Sequence, residues 1–359
     1  MKLNLEWISN KIGDEYKQWQ KGDVVCIKAQ TGTGKTHFIK SKLINDMFDN
    51  EKMLILVNRI KLREQVDKDL DKLYGNKNNI KIMSYQELEN ISIRENVDLN
   101  KYDYIVCDEI HYVYSDSSFN NKTKEIFDLL FNNKHDKSVK IFMSATIRNA
   151  YKMIKNNNKY NRLWKYGAKN DYSYVNVKYF KELDDIIQLI KNDNTDEKWL
   201  IFVTRKADID YIKLLLKEDS KHRKYKISYA TRNKASKDLQ NIVDRSMFES
   251  KVFITTKVLD NGVNINDNKL TNIVIMTYDE ETFIQELGRK RVDIDDAQQI
   301  NLYIKTCKYK TFRDLYSQVS KQEEIISELL EGEEDFFKKY NRDLQTLCKK
   351  INNAIYFDE

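Results

Sequence analysis

The sequence predicts an α/β protein of two tandem domains, each a parallel sheet flanked by helices, followed by a helical tail. Three observations carry this. Short β-branched or aliphatic runs alternate with helical patterns in two successive series. The alternation breaks once, near 166–171, where Gly167 sits among polar residues. From about Thr311 onward the strand-like runs cease. A chain of 359 residues, 41% hydrophobic and 33% charged, can fill two ordinary cores beneath a charged surface.

In the first series, strands are expected at Val24–Lys28, Met53–Val57, Ile80–Met83, Tyr104–Cys107 and Lys140–Met143, with helices near 35–48, 59–73 and 121–132. In the second, strands are expected at Tyr174–Phe180, Trp199–Val203, Lys226–Tyr229, Val252–Thr255, Asn272–Met276 and Ile300–Ile304. The domains expected are therefore 1–167, 168–308 and a helical extension, 309–359. In that extension Phe337, Tyr340, Leu344, Leu347, Cys348, Ile351 and Ile355 recur at helical spacing after a break at Gly332. This stripe is expected to lie on the second domain, with a protein partner as the alternative.

Composition narrows the class. No run of eighteen apolar residues exists, so no membrane span is expected, and the first residues mix acids into their apolar positions, unlike a secretory leader. Cys26, Cys107, Cys307 and Cys348 lie far apart, without metal-ligand spacing, and read as reduced thiols of a cytoplasmic protein. The formal net charge is +6; residues after 314 hold 6 Lys/Arg against 10 Asp/Glu, net −4, which leaves +10 on the body. A basic body suits a polyphosphate partner. The absence of proline and the abundance of Asn, Lys and Ile fit AT-biased coding of a bacterial or phage kind.

Residues 29–36, Ala29-Gln30-Thr31-Gly32-Thr33-Gly34-Lys35-Thr36, follow a strand and open a helix. Glycines there let the backbone N–H groups curl around phosphate oxygens, and the helix start favours negative charge. Lys35 would reach the β- and γ-phosphates of ATP, and the Thr36 hydroxyl would bind Mg²⁺. Asp108 and Glu109 stand at the C-terminal end of a strand, where open α/β sheets bind ligands. Asp108 would hold the metal and Glu109 would polarise the attacking water.

These elements resemble a superfamily 2 helicase of the DEAD/DEAH-box (DExH) type, in a compact bacterial or phage-like form. AQTGTGKT resembles motif I, Asp108-Glu109-Ile110-His111 motif II, and Ser144-Ala145-Thr146 motif III. LVNRIKLREQ (56–65) resembles motif Ia, and MSYQEL (83–88) the element after it. WLIFVTRKAD (199–208), ITTKVLDNGVNI (254–265) and QELGRKR (285–291) resemble motifs IV, V and VI. The resemblance implies two RecA-like domains with ATP hydrolysed in the cleft between them. It implies nucleotide contacts from Asp260 and Gly262, and catalytic roles for Gln285, Arg289 and Arg291. Coupling would fall to His111, Ser144 and Thr146, with His111 linking motif II to the second domain. Nucleic-acid contacts would come from Arg59, Ser84, Thr204 and Thr256. Motif VI commonly ends G-R-x-G-R, whereas here the last arginine, Arg291, arrives one residue early. No convincing adenine-reading glutamine precedes motif I.

The function expected is an ATP-dependent translocase or helicase, monomeric, acting on nucleic acid with DNA favoured over RNA. A packaging-type motor would need a nuclease domain, and 170–305 shows no cluster of metal-binding carboxylates. A binding scaffold with a vestigial site is disfavoured by the intact Lys35, Asp108 and Glu109.

Overall fold

The computed structural model describes residues 1–30, 32–58, 79–95, 97–115, 123–132, 137–218, 226–231, 236–260 and 263–340. The expected helix at 59–73, together with Thr31, Arg59 and Gly262, lies outside them. Two six-stranded, wholly parallel sheets form the molecule.

The first sheet has the order β3-β2-β4-β5-β1-β6, from β1 (Val24–Lys28), β2 (Met53–Val57), β3 (Ile80–Ser84), β4 (Tyr104–Asp108), β5 (Val139–Ser144) and β6 (Leu163–Gly167). A strand's side chains alternate between faces, and both faces here are covered. Val25 and Ile27 therefore enter one apolar cluster with Phe38, Ile55 and Met143. Val24 and Cys26 enter another with Leu54, Ile105 and Phe142. β6 was not anticipated by the strand pattern. Its LWKYG run offers few apolar residues, and it pairs only with β1 at the sheet's edge. Tyr166 and Gly167, expected at a junction, thus belong to a strand, and the next strand starts at Val175.

The second sheet has the order β7-β12-β11-β8-β10-β9, from β7 (Val175–Phe180), β8 (Lys198–Phe202), β9 (Ile227–Ala230), β10 (Val252–Thr255), β11 (Leu270–Ile275) and β12 (Ile300–Lys305). The same alternation sends Leu200, Phe253 and Ile273 to one face and Trp199, Val252 and Val274 to the other. Together the sheets form tandem RecA-like domains, here called the first and second lobes.

The chain's start crosses between the lobes. Leu3 N donates to Ile294 O at 2.8 Å, and Leu3 and Leu5 join the second lobe's apolar cluster. Five residues later Ile8 donates to Thr33 O at 3.1 Å and is buried in the first lobe's cluster with Ile12.

Most of the apolar stripe expected on the second lobe, from Leu344 to Ile355, lies outside the described residues. The Tyr309–Glu331 helix has no buried residue. Gly332, with extended backbone, breaks it, and Phe336 of the Glu333–Tyr340 helix packs back onto Ile325, Ile326 and Leu329. Within the described part of the tail, Phe336 therefore covers the tail's own preceding helix, and Phe312 touches Tyr278 of the second lobe; residues from Asn341 onward lie outside the description.

Candidate nucleotide-binding cleft between the lobes

β1 ends at Lys28, and the chain turns through 29–34 into a helix that begins with Lys35–Phe38. Gly32 has φ +93° and Gly34 φ +82°, conformations that L side chains rarely adopt. A Cβ on Gly34 would also lie 2.6 Å from a ring carbon of Trp7. Thr33 Oγ1 donates to Gln30 O at 2.7 Å and closes the loop on itself. Lys35 is buried; its Nζ donates to Ala29 O at 2.9 Å and lies 3.8 Å from Glu109 Oε1. Thr36, in the first turn of that helix, is exposed. Gln30 Oε1 accepts from Asp171 N at 3.3 Å, so the loop also touches the connection between the lobes.

β4 delivers the two acids beside this loop. Asp108 Oδ1 accepts from Glu109 N at 3.1 Å. Glu109 has φ +50°, a left-handed turn that costs roughly 1–2 kcal/mol for a non-glycine residue. The next residue is fixed by Ile110 N donating to Met143 O at 3.1 Å. Behind them the buried Tyr85 hydroxyl donates to Asp108 O at 2.9 Å. Burial and the neighbouring Glu109 charge push the Asp108 carboxyl up to about 6, partly offset by Lys35. Burial would raise Glu109 too, but Lys35 and the hydrogen bond with His111 outweigh it and hold Glu109 well below the carboxylate range.

Motif III closes on the same acid. Ser144 Oγ accepts from Thr146 N at 3.0 Å and donates to Glu109 Oε2 at 3.4 Å. His111 Nδ1 lies 3.2 Å from Ser144 Oγ and 3.2 Å from Glu109 Oε2. These contacts of His111 are within the first lobe. Glu109 itself reaches across, accepting from Gln285 Nε2 at 3.3 Å, and Asn149 Nδ2 also crosses, donating to Glu281 Oε1 at 3.0 Å.

The second lobe contributes the Glu280–Leu287 helix, capped by Asp279 accepting from Thr282 N at 2.8 Å, and the segment after it. Arg289 Nη2 donates to Gln285 Oε1 at 2.7 Å. Ile265 N donates to Arg289 O and Arg291 N to Ile265 O, both at 2.8 Å, so residues 289–291 run extended beside Ile265. In extended chain, alternate residues share a face. Lys290 turns away, donating from Nζ to Asp267 O at 2.7 Å, while Arg289 and Arg291 face the cleft. The early last arginine thus falls on the same side of the segment as Arg289. Arg291 Nη1 lies 3.6 Å from where a Gly32 Cβ would stand. It is buried, with no hydrogen-bond partner among the described residues. Burial, with Arg289 nearby, pushes Arg291 down to about 10.

Of the remaining expected residues, Ser84 caps the Tyr85–Arg94 helix by accepting from Glu87 N at 3.1 Å, Thr204 is exposed just beyond β8, and Thr256 is half-buried just beyond β10. All three stand at the C-terminal ends of their strands, as Ala29, Asp108 and Ser144 do. Asp260 closes the Lys257–Asp260 turn. Sequence reasoning missed Leu3, Leu5, Tyr172 and Tyr174, which line a small cleft pocket of about 40 Å³ with Gly32 and Arg291. No motif marks them, and their only signal was an apolar residue in an otherwise polar stretch.

A family model described as type III restriction enzyme, res subunit, matches residues 5–149, and one described as helicase conserved C-terminal domain matches 179–291. No curated protein sequence matches. Among solved structures, Saccharomyces cerevisiae Dbp5 bound to RNA and ADP BeF3 is similar with a TM-score of 0.55 at 16% identity, over 86% of this chain and 89% of that one. A variant of that protein, also with RNA and ADP BeF3, gives 0.56 at 16%, over 97% and 92%. The Escherichia coli DEAH/RHA helicase HrpB gives 0.55 at 13%, over 86% of this chain and 44% of that one. Identities this low speak to fold, while the family models take in both lobes. The chain belongs to the superfamily 2 DEAD/DEAH-type helicases and is an ATP-hydrolysing enzyme of that family.

Proposed function

We propose that the interlobe cleft binds ATP with Mg²⁺ and that turnover moves the protein along a nucleic-acid strand, with DNA as the substrate. The observation that carries this is Arg291: its Nη1, buried over the phosphate loop and without a hydrogen-bond partner among the described residues, fits a ligand rich in anionic oxygens. The cradle of Gly32 and Gly34 fits the same group. Lys35 neutralises phosphate charge, and Gln285, Arg289 and Arg291 stabilise it from the second lobe. Glu109 orients water. Gln30, Thr33, the main chain at Ala29 and the turn ending at Asp260 complete the nucleotide's surroundings; Thr31 and Gly262, which the resemblance adds, lie outside the described residues.

For the metal, Asp108 and Thr36 fit the way Mg²⁺ is held, by one or two protein oxygens together with the substrate's phosphates. Among the described residues no group of three His, Cys, Asp or Glu could hold an ion alone. Bound there, Mg²⁺ would neutralise charge on the phosphates. The burial of Asp108 beside Glu109 makes a cation favourable at that point.

Ser84, Thr204 and Thr256 form the strand-binding side, along the strand ends of both lobes; Arg59, which the resemblance adds, lies outside the described residues. His111, Ser144 and Thr146 transmit the state of Glu109 to it. Contacts of that kind read the backbone and weaken with salt, each phosphate contact contributing roughly 0.7–0.9 to the log–log slope. Cys26, Cys107 and Cys307 are free thiols, in keeping with the cytoplasm.

The test is the ATPase rate against single- and double-stranded DNA and RNA over a salt series. DNA should stimulate most and the effect should fall steeply with salt. Greater stimulation by RNA reverses the substrate, and no stimulation by any nucleic acid removes the motor reading.

A further inference from the structure

The second lobe ends its central strands in one row. Thr255, Phe202, Ile275 and Ile304 share a register line across β10, β8, β11 and β12. Thr256 stands one residue beyond that line, Thr204 two and Tyr278 three, and the Tyr309–Glu331 helix begins five residues beyond it. β12 lies three strand spacings from β10, about 14 Å. The base of the tail helix therefore continues the row of strand ends that carries Thr256 and Thr204.

Charge divides this helix. From Lys305 to Arg313 the chain holds four cations, Lys305, Lys308, Lys310 and Arg313, and no acid; from Glu323 to Asp335 it holds seven acids and no base. Cations at a helix start and acids at its end oppose the macrodipole, so this order does not stabilise the helix itself. Nor are the cations taken up by neighbours. Among the described residues Lys305, Lys308 and Lys310 make no ion pair, and Arg313 reaches the adjoining Asp314 alone, at 3.7 Å, with both side chains exposed.

Three rings stand among these cations. Tyr309, Phe312 and Tyr316, three and four residues apart, fall on one face of the helix, with Arg313 one turn on from Tyr309. Along the axis the rings are about 4.5 and 6 Å apart. Tyr309 is 82% exposed and Tyr316 75%. Phe312 meets Tyr278 edge-on at 5.5 Å, which ties the face to the second lobe. Exposed aromatic faces interleaved with cations bind bases by stacking and the strand's backbone by charge. A duplex keeps its base faces covered, so only a single strand can use the rings. A protein partner with an apolar face would leave the four cations unanswered.

We infer that residues 305–316, steadied by Tyr278, are a further binding site for single-stranded nucleic acid, extending the strand-binding side along the end of the second sheet to β12. The inference rests on the strand lying along that side.

Fluorescence anisotropy of a labelled oligothymidylate with the full chain, over a salt series, separates the two chemistries. Tyr309→Ala and Tyr316→Ala should each raise Kd by about 5- to 150-fold, the contribution of one stacked base, and leave the salt slope unchanged. Tyr316→Phe should bind as wild type, whereas Tyr316→Leu should not. Lys310→Gln with Arg313→Gln should instead lower the log–log salt slope by about 1.4, at roughly 0.7 for each phosphate contact on a single strand. Affinity for a duplex should not distinguish the tyrosine variants from wild type. All these side chains are exposed, so each variant should melt with wild type, which excludes misfolding. If wild type binds the strand and the variants match it in affinity and slope, this inference alone is overturned and the rings are left to a protein partner. Equal losses on duplex and single strand overturn the stacking role. A wild-type chain that binds no oligothymidylate overturns the strand-binding reading, and this one with it.

Discussion

The two halves of the cleft hold their charges in different ways. In the first lobe, Lys35, Glu109, His111 and Ser144 satisfy one another at 3.2–3.8 Å, so burial of an acid and a cation is compensated within the lobe. In the second, two arginines face the cleft within three residues. One of them, Arg291, keeps a buried Nη1 without a hydrogen-bond partner among the described residues. Buried unpaired cations are costly, and like charges add to the cost. The first half is therefore a finished site, and the second becomes favourable only against an anion or across the cleft. A polyphosphate that touches both stabilises the closed arrangement by its differential affinity, which is what couples a nucleotide to the position of the lobes.

The largest break in that comparison removes the cation of the finished half. Lys35→Ala takes away the charge that holds Glu109 ionised and the group placed for phosphate, so turnover should vanish in a steady-state ATPase assay and ATP affinity should fall with it. Glu109→Gln keeps the shape of the site, and should retain ATP binding while losing hydrolysis. Normal turnover in either variant would sink the assignment of this half.

Arg291→Ala acts on the other half and should behave oppositely on stability. Turnover should drop by about 10³–10⁵, the range for a lost arginine finger. Because the side chain removed is a buried cation without full partners, the free protein should melt no lower than wild type. The rise in Tm caused by a non-hydrolysable ATP analogue should shrink. A lower Tm without ligand, with an unchanged ligand-induced rise, would show that Arg291 is a structural residue and give the role to Arg289.

Much of the first half was legible in the sequence, and less of the second. The phosphate loop and the two acids are contiguous in the chain, so spacing alone reports them. Arg291 was visible as an arginine one residue early, but its direction depends on pairing with Ile265, a contact across 26 residues that no local pattern encodes. β6 was hidden because an edge strand with one neighbour needs little apolar sequence. The contacts of His111 with Ser144 and Glu109 depend on how β4 and β5 pair, which local spacing does not report. Leu3 and Leu5 carry no motif, and only the folded second lobe gives them a place.

That crossing segment offers a milder way to sharpen the comparison. Leu3 is 4% exposed in the second lobe's core, while Trp7 of the same segment packs against Gly34 of the phosphate loop. Leu3→Ala should cost about 2–5 kcal/mol, the usual range for a buried leucine truncated to alanine, read as a lower denaturant midpoint with unchanged slope. With the second lobe's anchor loosened, ATP should bind more weakly while turnover at saturation changes little. Unaltered stability would mean that the segment does not contribute to the second lobe's core.

The smallest effect is expected at Ser144, within the finished half. Its Oγ accepts from Thr146 N, donates to Glu109 and lies beside His111. Ser144→Ala removes these bonds, worth about 1 kcal/mol apiece at most once water exchange is counted, but Glu109 keeps Lys35, His111 and Gln285. Basal ATPase should therefore fall less than about tenfold, each factor of ten being 1.36 kcal/mol. What should suffer more is the ratio of nucleic-acid-stimulated to basal rate, because Ser144 ties the hydrolytic acid to the Thr146 segment that leads away from the cleft. Measuring both rates in one titration separates the two effects. A stimulated rate that falls only in proportion to the basal rate would reduce Ser144 to a local support of Glu109 and remove it from the coupling path.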